Sequence, residues 1–125
     1  MNTALYALEQ TGGILCSEPV LLSAFNQTLK INHAMSRPPD LMFLRLTCQV
    51  ADSGWLPGDV HHLYGHGSAT AHFYISAKPG LVTGFIYGSS LGVESKSADG
   101  ISTMTVTSWK VELVAVWFPG MPASL

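Results

Sequence analysis

Leu41-Met42-Phe43-Leu44-Arg45-Leu46-Thr47-Cys48-Gln49-Val50 is the stretch that decides the fold. From Met42 onward every second residue is apolar or a thiol, with Arg45, Thr47 and Gln49 between them. Successive side chains of a strand point to opposite faces. The spacing therefore predicts a strand with Met42, Leu44, Leu46, Cys48 and Val50 turned to a core. Leu41 and Phe43 fall on the polar side, which predicts a second contact for that face, with another sheet or another subunit.

The same period of two runs through the rest of the chain. In residues 69–76, Ala71, Phe73 and Ile75 oppose Thr70, His72, Tyr74 and Ser76. Residues 81–87 and 103–118 complete the apolar set, and 19–25 and 29–33 are shorter apolar segments. Within 110–118, Val111, Leu113, Ala115 and Trp117 oppose Lys110, Glu112, Val114, Val116 and Phe118. Both faces turn apolar toward the end, as in a central strand or one covered by a neighbour. Trp109 and Trp117 share the facing of Val111 and Leu113 and are expected in the core. The connection 94–100 ends in Asp99-Gly100, a dipeptide suited to a tight turn.

No helical apolar stripe persists for three turns. With no crossover helices to join parallel strands, the expectation is all-β: one antiparallel β-sandwich or jelly-roll-like domain. Residues 19–125 form its body. Residues 1–18 are either an N-terminal arm, loosened at Gly12-Gly13, or an edge strand.

The chain has 125 residues, enough for one domain with its own core. Only 11% of residues are charged and 47% are hydrophobic, against about 25% charged in ordinary soluble domains. That deficit predicts surface hidden against partner subunits, hence a homo-oligomer; a monomer solvated by Ser, Thr, Asn and Gly is the alternative. Six Lys and Arg residues are scattered through a chain of net charge −2, so no basic stripe supports nucleic-acid binding. No apolar run approaches the ~20 residues that span a bilayer, so no membrane insertion is expected. The N-terminus also lacks a basic region followed by an apolar core, so a soluble, unprocessed chain is expected. Of the two cysteines, Cys48 lies in a core-like strand and reads as a buried reduced thiol rather than a partner of Cys16.

Chemistry-bearing residues concentrate in residues 54–67. His61, His62 and His66 invite a metal reading, and His62 and His66 have the spacing of two helical ligands, but Gly65 and Gly67 mark a loop. No metal and no cofactor are expected; loop histidines bonded to solvent or backbone are the ordinary reading. A three-fold axis supplying one His per subunit is the alternative. The acidic residues are isolated, and no nucleophile stands beside a base, so the chain is expected not to be an enzyme. Gly58 and Asp59 read as a structural turn whose carboxylate accepts backbone N–H bonds. Trp55, His61, His62, Tyr64 and His66 are the candidate recognition residues, as an exposed loop cluster of broad apolar area with polar tips. The alternative for Trp55 is a plug of the sandwich.

Asn32-His33-Ala34-Met35, Pro38-Pro39, the strand ending at Cys48, and Gly54-Trp55-Leu56-Pro57-Gly58-Asp59-Val60 form an ordered series. It resembles small β-domains of tailed-bacteriophage fibres and virion accessory proteins, which are distantly H-type-lectin-like. In those domains a His-Gly-Leu-Gly-like turn precedes a Pro-led strand ending in Cys, followed by Gly-Tyr-x-x-Gly-Asp. Here Ala34 and Ser36 replace glycines and Trp55 stands where the pattern has Tyr. The likeness covers about a quarter of the chain, with weaker support from residues 108–116. It implies a virion structural protein assembled in the host cytoplasm, as a trimeric fibre or tail-associated domain for attachment or host-surface recognition. Its partners would be other virion proteins and a host-surface glycan or protein. A capsid decoration or cement protein and a freestanding carbohydrate-binding lectin are the alternatives.

Overall fold

The computed structural model describes residues 12–22, 27–64, 73–86, 92–94, 101–103, 105 and 107–119. Those residues form strands β1 (Gly13–Cys16), β2 (Val20–Leu21), β3 (Gln27–Asn32), β4 (Leu41–Cys48), β5 (Val60–Tyr64) and β6 (Phe73–Lys78). They continue with β7 (Leu81–Ile86), β8 (Gly92–Glu94), β9 (Ile101–Thr103) and β10 (Trp109–Trp117). The described fold is all-β, without a helix, and every pairing is antiparallel. Residues 69–72, His66 and the Asp99-Gly100 turn lie outside the described residues.

The larger sheet runs β1-β10-β4-β5, with β2 also paired to β10. The smaller runs β3-β7-β6, and β8 and β9 form a two-stranded ribbon. β10 is central because it has a partner on each side: Val111 is in register with Val20 and Leu46, and Leu113 with Leu44. Cross-strand partners share a face, so the alternation read from the sequence becomes a continuous layer. Leu44, Leu46 and Cys48 meet Trp109, Val111, Leu113 and Trp117 there. Leu29, Ile31, Phe73, Ile75, Val82 and Ile86 of the smaller sheet belong to the same core. Both tryptophans are buried.

Gly84 marks a close approach of the two sheets, since a Cβ built there would lie 3.2 Å from the side-chain tips of both Leu113 and Leu44. A larger residue would have to push the layers apart.

One expectation about β4 needs correction. Val50 is 57% exposed, because the ladder ends at Cys48 and the N–H groups of Gln49 and Val50 both turn to the carbonyl of Ser108. Phe43, on the opposite face from Leu44, is buried all the same. It is in register with Val114 and Tyr64, and the rings of His62 and Tyr64 lie 4.7 and 5.0 Å from its own.

Of residues 1–18, Gly13–Cys16 pairs with residues 114–117 at the sheet margin, and 1–11 lie outside the described residues. Gly12 is no loose joint there. It is buried at φ +79°, and a Cβ would collide with the carbonyl oxygen of Trp117.

Two carboxylates tie loops to β10. Asp40 Oδ2 accepts bonds from Phe118 N at 2.6 Å and Arg37 Nη1 at 2.8 Å, while Trp117 Nε1 donates to Arg37 O at 2.9 Å. The Phe118 N–H and the Arg37 guanidinium hold the Asp40 carboxyl below its ordinary value. At the other end, Asp52 accepts from Trp109 Nε1 at 2.8 Å, Thr105 N at 2.8 Å and Thr105 Oγ1 at 3.0 Å. Burial alone would raise the Asp52 carboxyl, but these donors outweigh it and hold it low.

Candidate functional site

β5 is five residues long and alternates, so neighbouring histidines leave it on opposite sides. His61 is in register with Leu46 and turns to the inner layer. Its ring meets Trp55 edge-on at 5.3 Å, and Trp55 meets Trp109 at 5.6 Å. Trp55 is buried, and backbone bonds with Asp52 across the tight turn at Ser53 and Gly54 fix it there. The Asp52 carboxylate also holds the Trp109 indole, so this aromatic stack closes one end of the core.

His62 and Tyr64 leave β5 on the outer side, where alternation groups them with Phe43 and Arg45 of β4 and Glu112 of β10. His62 Nδ1 and Tyr64 Oη are 3.1 Å apart and share one hydrogen bond, the imidazole tautomer deciding which donates. The Arg45 guanidinium carbon stands 5.9 Å from the Phe43 ring centroid, and its Nη1 donates to Glu112 Oε1 at 3.0 Å. The Phe43 ring thus has two aromatic neighbours and a cation beside it. Next to this group, Pro19, Arg45, Thr47, Gln49, Lys110 and Glu112 line a shallow cleft of about 230 Å³.

The candidate residues therefore separate. Trp55 and His61 belong to the inner stack, His62 and Tyr64 to the outer face, and His66 lies outside the described residues. Gly58 and Asp59 form the turn into β5: Asp59 Oδ2 accepts the Leu56 N–H at 2.9 Å, and Gly58 N donates to Cys48 O at 2.9 Å. Phe43, Arg45 and Glu112 were missed by the sequence reading. The signal that unites them with His62 and Tyr64 is cross-strand register, which lies in no local motif.

The outer face extends beyond this group. Ile14 is in register with Val116 and Leu41, Cys16 with Val114 and Phe43, and Val60 with Thr47. Ile14 is 63% exposed, Tyr64 57% and Leu41 37%, an apolar surface around the buried Val114 and Phe43, while Val60, 46% exposed, lies beyond the Arg45–Glu112 pair. Both cysteines are free thiols, Cys16 exposed on this face and Cys48 buried. Burial, helped by the charges of Asp52 and Asp59, pushes the Cys48 thiol up, away from the reactive thiolate form. Among the described residues, no group of three or more His, Cys, Asp or Glu is placed to hold a metal ion.

No family profile, curated protein or solved structure matches the chain. The arrangement of charge, rings and apolar area must carry the functional reading.

Proposed function

We propose that this chain is a non-enzymatic structural protein of a bacteriophage virion. In this reading it is an oligomeric β-sandwich or jelly-roll-like domain, closing as a trimer and serving a fibre or tail-associated assembly in attachment or host-surface recognition. The observation that carries the proposal is the outer face of the β1-β10-β4-β5 sheet. Ile14, Leu41, Val60 and Tyr64 stay exposed there on a chain with few charges. An apolar face of that kind is an association surface, and closed cyclic symmetry hides it without leaving an open, polymerising edge. The resemblance of the 32–60 segment supplies the phage context, the trimer and the virion location.

The test is to purify particles from the phage or prophage whose genome encodes the chain, identify their proteins by mass spectrometry, and locate this density by cryo-EM. The reading expects stoichiometric copies around a symmetry axis with the outer face turned to a neighbour. Particles that lack the chain contradict it.

A freestanding lectin is the second reading, favoured by the Phe43, His62 and Tyr64 rings beside Arg45 and Glu112. Aromatic faces next to hydrogen-bonding groups suit the mixed surface of a sugar. Glycan-array binding that is lost in His62→Ala and Tyr64→Ala variants, by a chain missing from particles, would select it.

A further inference from the structure

At the end of the sandwich away from the Trp55 stack, the loop after β3 and the β6–β7 turn enclose a cleft of about 360 Å³. His33, Met35, Arg37 and Pro38 form one wall; Ala77, Lys78, Pro79 and Gly80 form the other. The walls are anchored to each other, since His33 N donates to Gly80 O at 2.9 Å. The β6–β7 turn is short, with Lys78 in register with Leu81 across Pro79 and Gly80. The loop wall is held by the Trp117 and Asp40 bonds to β10. This is a preformed cavity on fixed elements, in the size range of small-ligand sites, about 300–1,000 Å³.

Its chemistry is selective. The described lining contains two cations, Arg37 and Lys78, and no carboxylate, on a chain whose net charge is −2. The two cations differ. Arg37 already spends Nη1 on Asp40 and Nη2 on the Phe118 carbonyl, whereas Lys78 makes no ion pair among the described residues. A single ammonium is a point charge matched to a single negative charge. Besides His33, Ser36 and Gly80, the rest of the lining is the apolar side chains of Met35, Pro38, Ala77 and Pro79. His33 fixes the loop wall, its Nδ1 accepting the Met35 N–H at 3.1 Å.

We infer that this cleft binds a small monocarboxylate with an apolar skeleton, Lys78 supplying the counter-charge and Met35, Pro38, Ala77 and Pro79 the apolar walls. The site is separate from the outer sheet face and stands whether or not that face assembles a virion. Its residues come from two separate parts of the chain, the loop after β3, which opens the ordered 32–60 series, and the hairpin turn that it touches.

The test is a nitrogen-15 NMR titration of the full chain with cyclohexanecarboxylate and, in parallel, its neutral carboxamide. The carboxylate is expected to shift the amides of Met35, Ala77 and Gly80 in a saturable way. The carboxamide should bind at least about tenfold more weakly. Lys78→Met should bring the two affinities to within about twofold, with the spectrum of β4 and β10 unchanged, and Lys78→Arg should keep the preference. Equal binding of acid and amide by the parent protein, shifts confined to another region, or no shift at about 20 mM would each overturn the inference.

Discussion

The two faces of the β1-β10-β4-β5 sheet are built from the same alternating strands yet end in different states. On the inner face, Leu44, Leu46, Val111 and Leu113 are closed over by Leu29, Ile31, Ile75 and Val82 of the smaller sheet. On the outer face, Phe43 and Val114 are buried while Ile14, Leu41 and Tyr64 around them remain exposed. One face is finished within the chain; the other is apolar beyond what the described chain covers. Burial removes the incentive for further contact, so the finished face gives stability and the unfinished face is the one the proposed association would use.

The largest expected effect lies on the inner face. Leu44→Ala or Leu113→Ala should lower unfolding free energy by about 2–5 kcal/mol in urea titrations, through lost burial and the cavity left behind. Thr47→Ala, outward on the same strand, should cost less than about 1 kcal/mol. A Thr47 effect equal to that of Leu44 would erase the distinction between the faces.

Next comes the Asp52 hub that braces the inner layer. Asp52→Ala leaves the Trp109 indole N–H and the Thr105 N–H without their acceptor and should cost about 1–3 kcal/mol. The pH dependence has a definite sign. The folded-state carboxyl is held below its ordinary value, so its stabilisation is complete above the unfolded value of about 3.9 and is lost as pH falls through the lowered folded value. The melting temperature of the parent should therefore drop below about pH 4, and Asp52→Asn should flatten that part of the curve. An unchanged acid slope in Asp52→Asn would remove the hub from the account.

A smaller effect is expected at Gly84. The Cβ of Gly84→Ala must displace two leucine tips by a few tenths of an ångström, while removing a strand glycine lowers unfolded-state entropy, so the net change should stay within about 1 kcal/mol. Gly84→Val should be clearly worse, at about 1–3 kcal/mol in the same urea assay. The smallest stability effect belongs to the outer rim: Tyr64→Phe should leave the melting temperature within about 2 °C. If the outer face recognises a host surface, Tyr64→Ala should nevertheless weaken adsorption.

These comparisons show what the sequence made legible. Alternation alone identified β4 and β10 and the inward set Leu44, Leu46, Val111 and Leu113, because strand period is a local property; that β10 is central, rather than covered by a neighbour, is settled by its pairing with β1, β2 and β4. Phe43 was assigned correctly to the outer face, but its burial depends on His62 and Tyr64, residues about twenty positions away that only strand register brings near. Val50 was misassigned because the period continued in the sequence after the ladder had ended. Gly12-Gly13 was read as a joint from composition, whereas the approach of the Trp117 carbonyl shows a close-packed glycine. The Asp52 and Asp40 roles were invisible for the same reason: each acts on a partner far along the chain. The loop cluster of Trp55, His61, His62 and Tyr64 was seen as one group, and alternation, applied to β5 itself, would have divided it.

Sedimentation velocity, run at about 10 µM on the parent and on a variant with charge placed on the outer face, Ile14→Asp with Leu41→Glu, tests the central claim most directly. The account predicts a parent species at a multiple of 13.4 kDa, three times that mass for the proposed trimer, and a variant that sediments as a monomer with the parent's circular dichroism spectrum. A parent that sediments as a stable 13.4 kDa monomer, or a folded variant that keeps the parent's assembly, would contradict it.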